Sequence, residues 1–252
     1  MASLWRRGKR DTAESAMNRV CTIDDFLAYS GIAADVTCLL CLASTGTVAR
    51  LRWFSVFVAF LALMEPLGML IFGLWPTFYW VAYVTILFSS YFLELFVMRE
   101  LVQAKAGYFG PRVIKATDVV AKVAGGCFIL LGILFTGAIQ YRDFDAGTQL
   151  FLHLDLAFAI FRVLGFLLLL FMARVFYSAV YDVEDDVIAA LALYAVVALV
   201  AGIAHEYNGR QALHYDQFIL IERARISAWI GTLLFIGLRA VYHYRRTASV
   251  SV

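Results

Sequence analysis

The sequence predicts an all-α polytopic membrane protein, a bundle of seven transmembrane helices. The chain is 63% hydrophobic and only 16% charged, whereas about 25% of the residues of a soluble globular domain are charged. Its mean hydropathy is +0.80. Its apolar residues are gathered into runs of about twenty, which is the length that a helix needs to cross the hydrocarbon core. We expect helices because isolated strands would leave backbone groups unpaired in lipid.

Seven apolar stretches meet this length requirement in turn. The first opens with Thr22, Asp24 and Asp25, residue types that suit a helix N-terminus. The second stops at Trp75-Pro76, and the fifth contains the strongest apolar run, LGFLLLLFMARVF. The predicted spans are residues 23–43, 53–74, 77–98, 119–140, 151–176, 187–204 and 226–244.

No linker rich in proline, glycine or serine divides the chain, so we expect one transmembrane domain, 23–246. A polar N-terminal tail, 1–22, precedes it, and a short C-terminal tail, 247–252, follows it. The N-terminal tail has no apolar core of the kind found in a cleaved signal peptide. Leaving that tail aside, basic residues are more frequent on the side of the C-terminus. The positive-inside rule then predicts a cytoplasmic C-terminus, in a bacterial inner membrane.

Among the ionisable residues of the predicted spans, five form a predicted polar network, and a charge at the centre of a spanning helix costs about 2.5 to 3.5 kcal/mol. One interpretation is that Arg162 pairs with Asp35 or Glu65 at a similar depth and holds the bundle together. The other is a polar cavity that serves as a proton route, an ion path or a headgroup pocket, because the acids outnumber the base. The predicted intramembrane polar network consists of Asp35, Glu65, Glu94, Asp155 and Arg162.

A second group of polar residues lies in the stretch AHEYNGRQALHYDQ and in the linker before the fifth span. Both linkers are predicted on one membrane face, which brings three imidazoles and two carboxylates to the same rim. Such a set is able to bind a transition metal with an open position for water. The spacing lacks HxxxH and HExxH, so a solvated loop is the favoured interpretation. A ligand- or proton-sensing surface is the third alternative, since histidine titrates near physiological pH. The candidate metal ligands are His153, His205, His214, Glu206 and Asp216.

Two seven-helix families can be compared with the last span, ISAWIGTLLFIGLRAVYHY. Rhodopsins need a lysine there for the retinal Schiff base, and this span has none, so retinal is not expected as a cofactor. Zinc amidases of the ceramidase and adiponectin-receptor type carry paired histidines on the last helix, and these are missing as well.

The stretches RLRWFSVFVAF, FYWVAYVTILFSSYFLELFVMREL and FRVLGFLLLLF carry a different resemblance. In layout the chain resembles a group of bacterial seven-helix membrane proteins over about residues 24–244. No activity is assigned to that group, so the resemblance implies an architecture and no reaction.

Three functions therefore stay open. The favoured one is a non-enzymatic membrane protein, either a sensor- or receptor-like bundle or an accessory subunit of a membrane complex. The alternatives are a metal-dependent membrane hydrolase and a proton- or ion-coupled transporter. Besides the lipid bilayer, a protein partner is predicted at the face that carries Arg112, Lys115 and the acidic residues from Asp182 to Asp186, and no nucleic-acid partner is expected.

Overall fold

A computed structural model describes residues 23–75, 78–106, 115, 146–176, 182–211 and 215–250. The described part is helical throughout, and a short 3-10 helix, Thr47–Ala49, follows the first long helix. The long helices are α1 (Ile23–Ser44), α2 (Arg52–Leu74), α3 (Tyr79–Ala106), α4 (Ala146–Phe176), α5 (Val183–Gln211) and α6 (Tyr215–Val250).

Each of these six helices is long and apolar enough to cross a membrane. The prediction of an all-helical membrane protein is therefore confirmed for the described residues. The predicted fourth span, 119–140, and the N-terminal tail, 1–22, lie outside those residues. The described chain thus provides six spans where the sequence predicts seven.

The helices extend beyond the apolar runs that predicted them. Helix α5 continues to Gln211, so the loop expected over AHEYNGRQALHYDQ is wrong for residues 204–211, which lie within the helix. Helix α6 begins at Tyr215, well before the predicted span 226–244, and ends at Val250. Hydropathy marks the part of a helix that lies in lipid, whereas backbone hydrogen bonding continues into the polar interface.

Small residues allow the first and last helices to approach closely. Helix α1 packs against α2 and α6, while α4 packs mainly against α5. A Cβ placed on Gly237 of α6 would lie 3.4 Å from Cys41 Cβ and 3.5 Å from Cys38 Cα. Cys38 is fully buried. These two cysteines therefore act as packing residues at a close helix crossing, as small side chains do in membrane bundles.

Ion pairs identify which helix ends share a membrane side. Asp24 near the start of α1 accepts hydrogen bonds from Arg223 near the start of α6. On the opposite side, Arg50 after α1 and Lys105 near the end of α3 pair with acids at the start of α5. Arg239 in the second half of α6 reaches the same acids. We call this second side the joint side.

The joint side also holds the start of α2. The backbone N–H groups of Trp53 and Phe54 donate hydrogen bonds of 2.9–3.1 Å to the Glu100 carboxylate of α3. A carboxylate satisfies the unpaired donors and the positive dipole at a helix N-terminus. The Trp53 ring stacks on Phe96 of α3 with centroids 4.5 Å apart. Together these contacts fix α2 against α3.

Candidate functional site

The most strongly paired charges of the bundle interior are Glu94 of α3 and Arg162 of α4. The guanidinium binds the carboxylate with both ends, since Arg162 Nε lies 2.7 Å from Glu94 Oε1 and Nη2 lies 2.7 Å from Oε2. Only 5% of the Glu94 side chain and 12% of the Arg162 side chain are exposed. Arg162 Nη2 donates a charge-assisted hydrogen bond to Glu94 Oε2, whereas Nε contacts Oε1 at ion-pair distance without hydrogen-bond geometry.

Aromatic rings enclose the Arg162 guanidinium. The Arg162 Cζ atom lies 5.2 Å from the ring centroid of Phe158, 5.6 Å from that of Tyr194 and 6.0 Å from that of Tyr91. Tyr91 and Phe158 stack with centroids 4.0 Å apart. The Tyr91 hydroxyl donates to Asp155 Oδ1, about two helical turns before Arg162 on α4. Ring faces attract a cation that has lost its water, so this surrounding favours the charged guanidinium.

The predicted pairing of Arg162 with Asp35 or Glu65 is wrong, because its partner is Glu94. The sequence places Glu94 close to the end of its predicted span, 77–98, but α3 continues to Ala106, so Glu94 lies near the middle of the helix. Lateral neighbours, which the sequence does not give, decide the pairing: α4 contacts α3 and α5, whereas α1 contacts α2 and α6. Glu94 on α3 is therefore within reach of Arg162.

Asp35 of α1 lies in a different environment, near the interface with α6. Its side chain is fully buried, and neither carboxylate oxygen has a hydrogen-bond partner among the described residues. From α6, the indole of Trp229 faces this carboxyl without completing a hydrogen bond, and Trp229 Nε1 is itself buried without a partner in the described chain. Burying polar groups without hydrogen bonds raises the free energy of the folded state. Stability therefore does not explain why Asp35 is buried.

Glu65 of α2 is the second acid at this interface. A Cβ placed on Gly31 of α1 would lie 3.3 Å from Glu65 Oε2, so the absence of a side chain at Gly31 allows the carboxyl group to approach α1. Gly31 lies one helical turn from Asp35, on the same face of α1. Glu65 also precedes Pro66 inside α2. Proline has no N–H to donate to the carbonyl of Ala62, which adds a free acceptor on this turn.

The acidic residues at the start of α5 form the third charged group, which we call the acidic joint. Asp186 Oδ2 lies 2.7 Å from Arg239 Nε and 2.9 Å from His243 Nε2. Lys105 Nζ lies 2.8 Å from Asp185 Oδ1. These contacts tie α5 to α6 and to α3.

The rest of the joint connects α5 to the segment after α1. Arg50 Nη2 lies 2.8 Å from Glu184 Oε1 and 3.8 Å from Asp182 Oδ2. Glu184, Asp185 and Asp186 are buried. The acids are thus turned toward basic residues of the same chain, and the protein partner expected at this face stays a prediction.

The predicted metal ligands are not tested by the described side chains. His214 lies outside the described residues. On the predicted partner face, Arg112 also lies outside them, whereas Lys115 is described and exposed. His153, His205, Glu206 and Asp216 belong to described helices, but their side chains lie outside the described part. Among the described side chains, no group of three or more histidines, cysteines or acids is placed to bind a metal.

Comparisons with known proteins add no family to these observations. No family model matches the sequence, no curated protein matches it, and no solved structure matches the fold.

Proposed function

We propose that this chain is a non-enzymatic integral membrane protein, a sensor- or receptor-like bundle or an accessory subunit of a membrane complex. The acidic joint carries the proposal. It holds the start of α5 to the segment after α1, to α3 and to α6 through separate ion pairs. A protein that signals across a bilayer needs an element with two arrangements, and charge pairs at helix ends are one way to build it.

The joint is placed where a partner on one membrane side is able to act on it. The Arg50 side chain is 57% exposed although its partner Glu184 is only 7% exposed. A partner that competes with Glu184 for Arg50 would break one ion pair of α5. The buried ion pairs of Asp186 with Arg239 and His243 would remain. Since α5 packs against α4 and α6, a shift of α5 would move the interior of the bundle.

The proposal includes seven crossings and a cytoplasmic C-terminus. Helix α3 ends on the joint side, near Lys105. Helix α4 ends on that side too, because the short connection 177–182 leads from it into the acidic joint. Helix α4 therefore begins on the other side, so one further crossing between residues 106 and 146 makes the topology consistent. The joint side carries the basic residues that favour the cytoplasmic face. The resemblance to bacterial proteins supports an inner membrane.

The partner proposed for this protein binds the joint side near Arg112 and Lys115. The test places a photo-crosslinking amino acid at the exposed positions Val48 and Lys115 in native membranes. The matched control positions are Leu193 and Leu238, whose exposed apolar side chains face outward from the helices. We expect discrete protein adducts from the joint-side positions and none from the controls. Recovery of a free monomer from every position after gentle extraction would contradict the proposal.

Proton- or ion-coupled transport is the second candidate, favoured by the buried Asp35, which lacks a partner in the described chain. Transport would be measured as proton flux in proteoliposomes. A Glu65→Gln, Arg162→Gln variant with unchanged flux would remove this candidate. The metal-dependent hydrolase stays a prediction from the sequence. Metal content of the purified protein, compared with a His205→Ala, His214→Ala variant, is its direct test.

A further inference from the structure

We propose that Asp35 of α1 and Glu65 of α2, together with the indole N–H of Trp229 of α6, form a proton-binding site in the bilayer interior. The inference does not depend on the proposed function, because a sensor and a transporter could both use such a site. It rests on groups from three helices that meet near the middle of the membrane.

Among the described residues, no cation lies beside the carboxyl groups of Asp35 and Glu65. The described titratable groups at this position are the carboxyls of Asp35 and Glu65 and the thiol of Cys38, while α6 contributes only the neutral Trp229. The interior guanidinium of Arg162 is bound at both ends to Glu94. Two carboxylates without a cation are strongly unfavourable in hydrocarbon. With no cation beside them among the described residues, we expect the two carboxyl groups to hold at least one proton.

Buried polar groups without a hydrogen-bond partner in the described chain lie at this site. Both oxygens of Asp35 and the Nε1 of Trp229 are buried without a hydrogen bond in the described chain. Trp229 is only 7% exposed and is held by Phe57 and Tyr194, with ring centroids 5.9 and 4.8 Å away. A rigid N–H donor beside a carboxyl group can stabilise the carboxylate after the proton leaves.

Glu65 is the more accessible of the two carboxyl groups. Asp35 is sealed inside the bundle, whereas Glu65 is half-buried on a helix whose neighbouring residues Leu63, Leu67 and Leu70 are exposed to lipid. Pro66 loosens the helix at the same turn. Glu65 is thus the carboxyl group of the pair that a lipid-soluble reagent is able to reach, and Asp35 is placed to share its proton. The geometry makes Glu65 the outer group and Asp35 the inner group.

Dicyclohexylcarbodiimide tests the site, because this lipid-soluble reagent forms a stable adduct only with a protonated carboxyl group. We expect mass spectrometry of the labelled protein in liposomes to find the adduct on Glu65. Labelling should fall as the pH is raised, and the adduct should be lost in Glu65→Gln. In Asp35→Asn the fall should move to lower pH by about one pH unit, because a neighbouring negative charge is removed. Glu94, paired with Arg162, is the internal control and should stay unlabelled.

Several outcomes would overturn the inference. One is the absence of an adduct on Glu65 at any pH at which the protein remains folded, as judged by its thermal transition. Another is labelling of Glu65 that does not change with pH or in Asp35→Asn. Suppression of labelling by sodium chloride but not by choline chloride at constant pH would assign the site to Na⁺ and overturn the assignment to a proton. None of these results depends on a crosslinked partner, so this inference and the proposed function fail separately.

Discussion

Two buried acids of similar chemistry, Glu94 and Asp35, have opposite surroundings in this bundle. Glu94 is 4% exposed and is bound at both carboxylate oxygens by Arg162, under a layer of aromatic rings. Asp35 is 0% exposed and has no hydrogen-bond partner among the described residues. The free-energy cost of burying a carboxyl group is thus offset by the ion pair at Glu94, whereas no described hydrogen bond offsets it at Asp35.

The difference separates a structural acid from a candidate functional one. A buried charge pair contributes a fixed connection between two helices, and removing one member leaves the other uncompensated. An acid without a partner does not contribute to stability in this way, and intramembrane acids of this kind often belong to proton or ion routes. We therefore expect the same chemical change, from acid to amide, to have very different effects at the two positions.

Glu94→Gln should have the largest effect. The substitution leaves the Arg162 guanidinium buried without its counter-charge, which typically costs about 3–5 kcal/mol. Thermal unfolding in detergent, followed by a thiol-reactive dye on the native cysteines, measures the loss. We expect the transition to fall by roughly 6–20 °C, given about 2–4 °C per kcal/mol for a chain of this size.

The double variant Glu94→Leu, Arg162→Leu is the control for this loss. Removing both charges leaves no unpaired group, so the double variant should be more stable than Glu94→Gln alone. A Glu94→Gln protein that unfolds at the wild-type temperature would mean that the pair does not hold α3 and α4 together.

Asp186→Asn should have the next largest effect. The substitution weakens the contacts with both Arg239 and His243 in the acidic joint, and hydrogen bonds to charged groups contribute about 1.5–3 kcal/mol. Glu184→Gln is the matched control, since its partner Arg50 is 57% exposed and water screens the pair. We expect a loss of at most about 1 kcal/mol for the control. Equal losses in the two variants would contradict the distinction between a buried and an exposed part of the joint.

Tyr91→Phe should have a smaller effect. The ring that stacks on Phe158 remains, and only the hydroxyl that donates to Asp155 is removed. An unfolding free energy lower by about 1 kcal/mol is expected for one hydrogen bond. Asp155→Asn, which keeps an acceptor oxygen, is the companion variant and should lose less. A larger loss in Asp155→Asn than in Tyr91→Phe would show that Asp155 has a more important partner than Tyr91.

Asp35→Asn should have the smallest effect on stability. If Asp35 is a neutral acid, an amide of nearly the same shape replaces it without removing a charge pair, so the change should stay below about 1 kcal/mol. The same thermal unfolding assay applies. A loss comparable with that of Glu94→Gln would show that Asp35 is an ionised, paired residue.

Hydropathy predicts the membrane-spanning segments of this fold, because burial in lipid determines them. It locates the apolar runs and the acids within them, because chain composition alone decides what is able to cross a bilayer. It does not predict that α6 extends from Tyr215 to Val250, since polar turns at an interface are stabilised by local pairs such as Arg225 with Glu222. The acids of the candidate site are thus visible in the sequence as a set.

Their partners cannot be found in the same way. Whether Arg162 meets Glu94 or Asp35 depends on which helices are neighbours in the plane of the membrane, and a single sequence carries little information on that order. Gly31 and Trp229 escape notice for the same reason, because a glycine in an apolar run and a tryptophan near the start of a predicted span are both common. The acidic run at the start of α5 resembles an exposed surface because its basic partners come from three distant segments.

The central claim is that, of the three acids Glu94, Asp35 and Glu65, Glu94 is ionised, whereas Asp35 and Glu65 share one proton. Infrared difference spectroscopy tests it directly, because the carbonyl stretch of a protonated acid is separate from the bands of a carboxylate. Subtracting the spectrum of Asp35→Asn, Glu65→Gln from that of the wild type should reveal a protonated-acid band at neutral pH. Subtracting Glu94→Gln should reveal only carboxylate bands. A protonated-acid band that disappears in Glu94→Gln but is unchanged in Asp35→Asn, Glu65→Gln would contradict the account.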